Sequence, residues 1–178
     1  NNTVDPLPKS PPPPKYRGRY VRISHSASNT QFLTMSEVQV FSNDINIAPN
    51  GKATQSSNYP NSPASKAIDG NHNGSFATCS CTTEQLGAWW ELDLGKPIDI
   101  DSVAVWNRTD CCPERLDNIS IEILDEQRQV IVTRTLKKSA ARNALPEGAV
   151  QGNTESVENT LTFNVAAGEL TALQFQSN

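Results

Sequence analysis

Trp89-Trp90-Glu91-Leu92-Asp93-Leu94 alternates apolar and polar side chains, the period-2 pattern of a strand with one buried face. It reads as a central strand. Adjacent aromatics on a strand point to opposite faces, so one of Trp89 and Trp90 belongs to the core. A second apolar run, Ile98 to Trp106, reads as the next strand, with Trp106 expected in the core. Outward from this pair the pattern stays β. Tyr20, Arg22 and Ser24 alternate against Val21 and Ile23, and Phe32 to Phe41 reads as one strand. Asn118 to Leu124, Val130 to Leu136, Thr160 to Val165 and Leu170 to Phe175 follow. No long window repeats apolar residues at helical spacing, and turn signals recur at Pro49-Asn50-Gly51, Tyr59-Pro60-Asn61, Asp69-Gly70 and Asn73-Gly74. Short strands at this spacing predict an all-β sandwich. Residues 137–158 are polar and aperiodic and read as a long loop.

The 178 residues suit one domain plus a tail. Residues 1–18 form a Pro-rich linker, with Pro11 to Pro14 favouring polyproline II, and residues 19–178 form the sandwich domain. A formal net charge of −4 argues against a nucleic-acid partner. No apolar run approaches a membrane span. The chain begins with Asn1 rather than Met, which suggests a processed chain or a piece of a longer one. The four cysteines, Cys79, Cys81, Cys111 and Cys112, are spaced too closely for a typical zinc site. Disulfides in an oxidising, extracellular setting are expected instead. Asn73, Asn107 and Asn118 open glycosylation sequons. With two histidines, His25 and His72, and no nucleophile-elbow or metalloprotease pattern, an enzyme is not expected.

The chemistry concentrates in Asn107-Arg108-Thr109-Asp110-Cys111-Cys112-Pro113-Glu114-Arg115. Arg108 and Arg115 offer guanidinium forks suited to multi-oxygen ligands. Asp110 and Glu114 can hold those forks in place. Cys111 and Cys112, if paired, form a compact ring with a flat sulfur surface. The bland alternative is a cross-linked loop with two exposed ion pairs, worth about 0–1 kcal/mol each.

Arg108-x-Asp-Cys-Cys-x-Glu-Arg115 resembles the signature of the fucolectin-type (F-type) lectins, a calcium-containing branch of the discoidin β-sandwich family. Further matching pieces are Asn50-Gly-Lys-Ala-Thr-Gln-Ser-Ser57, Ala67-Ile-Asp-Gly-Asn71 and Trp89-Trp-Glu-Leu-Asp-Leu-Gly95. The resemblance implies an eight-stranded jelly-roll β-sandwich with ligand loops at one end. Gly18-Arg-Tyr-Val-Arg-Ile23 and Leu33 to Phe41 look like the family's closing strands, usually C-terminal. Their early position suggests a permuted domain, or strands that finish a preceding repeat.

The resemblance also implies a Ca2+ site. Its ligands would be the carbonyls of Lys66, Asn71 and Ser36, the carboxylates of Asp69 and Glu37, and an oxygen of Ser80. For the sugar, Arg108 and Arg115 match the family's two arginines, Asp110 its supporting acid, and Cys111-Cys112 the disulfide under the sugar's apolar face. Thr83 stands where the family has a histidine, Ala77 where it has a tyrosine, and His72 lies nearby as a substitute. The family's partner for Cys81 aligns with Ser36. Two pairings therefore stay open: a vicinal bridge with Cys79–Cys81, or two bridges between the loops. The expected function is a calcium-stabilised glycan-binding module, with fucosylated glycans as candidates, on a secreted or surface protein. The alternative is a structural or adhesive module of an extracellular assembly or filament that has lost sugar binding, with another extracellular protein as its partner. Oligomerisation stays open.

Overall fold

The computed structural model describes residues 15–26, 28, 30–136 and 160–164. Thirteen strands follow in chain order: β1 Tyr16–His25, β2 Thr30–Gln31, β3 Thr34–Met35, β4 Glu37–Ser42, β5 Ile45–Asn46, β6 Lys52–Gln55, β7 Ser80–Cys81, β8 Gln85–Leu86, β9 Trp89–Ile100, β10 Ser102–Trp106, β11 Ile119–Leu124, β12 Val130–Leu136 and β13 Thr160–Asn164. They build an antiparallel five-stranded sheet, β12-β11-β1-β9-β6, and an antiparallel four-stranded sheet, β13-β10-β4-β5. Two short ladders, β2-β8 and β3-β7, close one end. Helical structure among the described residues is limited to four short 3-10 turns. The segments 1–14 and 137–159, and the expected strand Leu170 to Phe175, lie outside the described residues.

Period-2 alternation builds the core. β1 contributes Val21 and Ile23, β9 contributes Trp90 and Leu92, and β11 contributes Ile119, Ile121 and Ile123. Val38 and Val40 of β4 and Val103 and Val105 of β10 bury with them in the same cluster, as in two sheets packed face to face. Trp90 is fully buried, whereas Trp89 is half-buried on the other face with the Arg22 guanidinium 4.8 Å from its ring. The same alternation corrects the expectation for Trp106. Val103 and Val105 hold the inward positions, so Trp106 turns outward and donates from Nε1 to Gln39 Oε1 at 3.1 Å. Gly18 is where β1 crosses closely over β11. A Cβ there would lie 2.2 Å from Ile123 Cγ2 and 3.0 Å from the Leu124 carbonyl, so this crossing takes a residue without a side chain; on the other side of β1 the pairing with β9 shifts register between Gly18 and Tyr20.

The early strands complete this chain's own sandwich. β1 lies between β11 and β9, and β4 between β10 and β5, which rules out strands that merely finish a preceding repeat. The expected single strand Phe32 to Phe41 is broken, because its residues serve three partners. Thr30–Gln31 pair with Leu86 and Gln85, Thr34–Met35 with Cys81 and Ser80, and β4 with β10. Ser36 sits at the last handover, its N–H donating to Trp106 O at 2.8 Å.

Candidate functional site

The β10–β11 connection is folded from within. Asn107 is 7 % exposed. Its Nδ2 donates to Pro113 O at 2.9 Å and its Oδ1 accepts from Arg108 N at 2.8 Å. The sequon nitrogen is therefore committed inside the loop. Cys111 and Cys112 form a disulfide, with Cys112 in the left-handed region at φ 57°. The turn Pro113–Leu116 then anchors the loop through buried Leu116.

Arg108 pairs through Nε with Asp110, and its guanidinium lies 4.3 Å from the Phe76 ring centroid. Asp110 Oδ2 also accepts from Phe76 N at 3.0 Å. The Arg108 hydrogen bond, aided by that N–H, holds the Asp110 carboxyl below its ordinary range. Arg115 stacks 4.3 Å over Phe32 and donates from Nη1 to Thr34 Oγ1 at 3.4 Å. Between the two stacks stands Tyr59, edge-on to Phe76 at 5.5 Å and to Phe32 at 6.2 Å. Arg108, Phe76, Tyr59, Phe32 and Arg115 thus form a continuous cation–aromatic arch beside the disulfide loop. The three aromatics were not singled out from the sequence as site residues. The available signal was an aromatic inside the polar turn Tyr59-Pro60-Asn61.

Glu114 departs from its expected role. Arg115 is held by Phe32 and Thr34, because the Pro113–Leu116 turn sends the two side chains apart; Glu114 lines a separate cleft. Thr83 is knitted to its neighbours: its N–H and Oγ1 lie 3.0 and 2.9 Å from Ser57 Oγ, and Oγ1 is 3.5 Å from Gln85 Oε1. His72 packs against Trp106 with ring centroids 4.4 Å apart, its Nδ1 buried without a partner.

Cys79 and Cys81 are buried free thiols. This corrects the Cys79–Cys81 pairing and the bridges between loops. Residues two apart on extended backbone are separated by about 6.4–6.8 Å, at the limit of disulfide reach, and Cys111 and Cys112 are consumed by each other. Cys79 Sγ instead contacts Ser75 O at 3.2 Å, and Cys81 Sγ contacts Thr34 Oγ1 at 3.2 Å. Thr34 faces Cys81 across the β3-β7 ladder, while Ser36 Oγ accepts from Gly74 N at 3.1 Å. Burial pushes the Cys79 thiol up to about 11 and raises that of Cys81. Native protein should therefore react slowly with a thiol reagent near neutral pH. Denaturation without reductant should release two thiols per chain, and denaturation with reductant four. No thiols before reduction would overturn this pairing.

A second cluster surrounds Glu37, which is fully buried. Its Oε1 accepts from Gly70 N at 3.2 Å, and its Oε2 has no partner. Burial, with the nearby Asp69 carboxylate adding to it, pushes the Glu37 carboxyl up to about 7. Asp69 Oδ1 accepts from Asn71 N at 2.9 Å, and Asn71 Oδ1 accepts from Asn73 N at 3.3 Å, so consecutive Asx turns shape the loop. Ser80 Oγ donates to Met35 O at 3.3 Å. The Lys66 ammonium points away, to Asn61 O at 2.7 Å and to Ala77 O. Among the described residues no three His, Cys, Asp or Glu side chains converge as a metal site; the candidate donors are mainly carbonyls and hydroxyls. A buried carboxylate oxygen without a partner is costly, and it fits a hard cation that takes oxygen ligands.

Residues 66–171 match the NedA-like, galactose-binding domain family. The chain belongs to this family of galactose-binding-like domains. It is a binding module and not an enzyme. The match begins after β1 and β4, although both lie inside the sheets of this galactose-binding-like fold. Fucolectin of Anguilla anguilla is 45% identical over 85 residues, 44% of this chain and 54% of the eel protein. Fucolectin-4 of Anguilla japonica is 34% identical over 125 residues, 67% of this chain and 63% of that protein. Pentraxin fusion protein of Xenopus laevis is 36% identical over 87 residues, 47% of this chain and 21% of that protein. The chain spans between about half and two thirds of the eel relatives' length. No solved structure gives a significant match.

Proposed function

We propose that this domain is a calcium-stabilised glycan-binding module of an extracellular protein. The observation that carries the reading is the arch in which Arg108 and Arg115 end an aromatic trio beside the Cys111–Cys112 disulfide. Asp110 uses Nε of Arg108, which leaves that guanidinium's terminal nitrogens to donate to neighbouring sugar hydroxyls. The aromatic edges and the disulfide offer apolar surface to the sugar's C–H face. The eel relatives' name, fucolectin, makes fucosides the first candidates. The disulfide suits an oxidising compartment, and no described helix is long and apolar enough to cross a membrane.

Ca2+ would be held by Glu37 and Asp69 with oxygens of Ser36, Lys66, Asn71 and Ser80. It would supply the partner that Glu37 Oε2 lacks and fix the loop from which Gly74 and Phe76 reach the disulfide loop: Gly74 O accepts from Thr109 N at 2.8 Å. A second reading is an adhesive module that has lost sugar binding. The commitment of Thr83 to Ser57, at the place of the family's histidine, favours it.

One experiment separates them. A glycan array is run with the oxidised domain in calcium and in EDTA, beside melting curves. The lectin reading expects binding of fucosylated or galactosylated glycans. The calcium reading expects a higher melting temperature in calcium, abolished in Glu37→Gln. That variant should be no less stable than wild type in EDTA, because it removes a buried charge. Silence on the array with the fold intact favours the adhesive reading, and equal melting in calcium and EDTA removes the cation.

A further inference from the structure

The three sequons meet different surroundings in the fold. Asn107 is 7 % exposed and gives its Nδ2 to Pro113 O at 2.9 Å, so a bulky substituent there would break the loop from within. Asn73 is exposed, but its amide is fixed in a turn: Oδ1 accepts from Ser75 N and from Thr78 Oγ1, both at 2.9 Å. Asn118 is exposed, and no hydrogen bond holds its side chain among the described residues. It stands in the left-handed region at φ 55°, immediately before β11, a conformation that asparagine tolerates well.

Asn118 also lines a cleft of about 180 Å³, together with His25, Ser26, Gln31, Glu114 and Asp117. The lining is polar throughout. Burial lowers the pKa of His25, so its ring adds no positive charge at neutral pH, and the two carboxylates disfavour an anionic occupant. Carboxylates, amides and a hydroxyl instead match a neutral group rich in hydroxyl and amide N–H donors. N-acetylglucosamine, the first sugar of an N-linked glycan, is such a group.

We propose that Asn118 carries an N-linked glycan whose first N-acetylglucosamine seats in this cleft. The proposal rests on the extracellular part of the functional reading. In the transfer, Asn118 Nδ2 forms a bond to C1 of the sugar and gives up one proton to the base of the transferase. The C1–O bond to a lipid-linked pyrophosphate breaks, and the pyrophosphate leaves. Once attached, the sugar needs little intrinsic affinity, because a short tether holds it at the cleft at an effective concentration on the order of millimolar. Glu114 accepts from its hydroxyls, and the Gln31 amide pairs with its acetamide. Hydrogen bonds to a charged group are the stronger ones, so Glu114 contributes most.

The whole chain, secreted from vertebrate cells that make only high-mannose glycans, tests this. Peptide mapping after enzymatic release of the glycans should find Asn118 converted to aspartate and Asn107 still an amide. Trimming with endoglycosidase H leaves a single N-acetylglucosamine. That form should melt about 2–4 °C above the same oxidised chain made in bacteria without glycans. In Glu114→Ala most of that rise should disappear. An unmodified Asn118 in secreted, oxidised protein overturns the modification and leaves the glycan-binding reading standing. An occupied Asn118 with no rise, or with an equal rise in Glu114→Ala, overturns the seat. A chain that folds in bacteria but is neither secreted nor oxidised in the vertebrate cells overturns the extracellular reading, and the modification with it.

Discussion

Glycan affinity falls about 100-fold or more in Arg108→Lys, and as far in Arg108→Ala, while both variants stay folded. The physical reason is that the site uses the guanidinium's shape as well as its charge. Nε is occupied by Asp110 and the plane lies on Phe76, so the two terminal nitrogens are held at fixed angles. A lysine keeps the charge but has no planar fork. Two hydrogen bonds from a charged donor, at about 1.5–3 kcal/mol each, convert to a loss of about 100-fold or more. Stability changes far less. The Arg108 side chain is 14% accessible and the Asp110 carboxylate 45%; a pair open to water on one side, together with the Phe76 stack, contributes on the order of 1–2 kcal/mol. A calorimetric titration with the best array ligand, beside a melting curve, separates the two quantities. Full binding by Arg108→Lys would show that only charge matters at that position. Full binding by Arg108→Ala would remove Arg108 from the site.

Much of the sandwich is legible in the sequence because alternation is a local property. Val21 and Ile23, Trp90 and Leu92, and Ile119, Ile121 and Ile123 mark their inward faces without help from distant residues. What fails to show is set by partners far along the chain. Phe32 to Phe41 has the composition of one strand, yet it divides because its residues serve β8, β7 and β10 in turn. Arg108 and Arg115, the arginines of the proposed sugar site, stand in one nine-residue stretch and could be read together. Their aromatic companions come from three separated segments, around positions 32, 59 and 76, and no spacing rule joins these. Glu114 illustrates a third kind of difficulty. Charge alone assigns it to Arg115, and only the turn geometry of Pro113–Leu116 shows that the two side chains part. The cysteines are a fourth case. Adjacent Cys111 and Cys112 permit a ring, but only the β3-β7 register shows Cys81 facing Thr34 with no thiol opposite.

Trp90→Ala removes most of the domain's stability. Trp90 heads the fully buried side chains by volume, and its strand neighbours in the register are Ile23 of β1 and Gln55 of β6. Truncating a buried aromatic costs about 3–5 kcal/mol through lost burial and the cavity left behind. Its Nε1 also donates to Ala64 O at 3.0 Å, and an acceptor left without its partner costs about 1–3 kcal/mol more. Against the roughly 5–15 kcal/mol of a typical domain, the variant should unfold at far lower denaturant, with an unchanged slope in the transition. Trp90→Phe restores most of the volume but cannot reach Ala64, so it isolates the hydrogen bond. Ala64 opens the turn Ala64–Ile68 that leads directly into Asp69 and Gly70, where Glu37 is contacted. Trp90→Phe should therefore show a smaller calcium-dependent rise in melting temperature than wild type, even though the tryptophan touches no candidate ligand. An unchanged rise would mean that the loop's order is set locally by its Asx turns, and that the core and the proposed cation site are energetically independent.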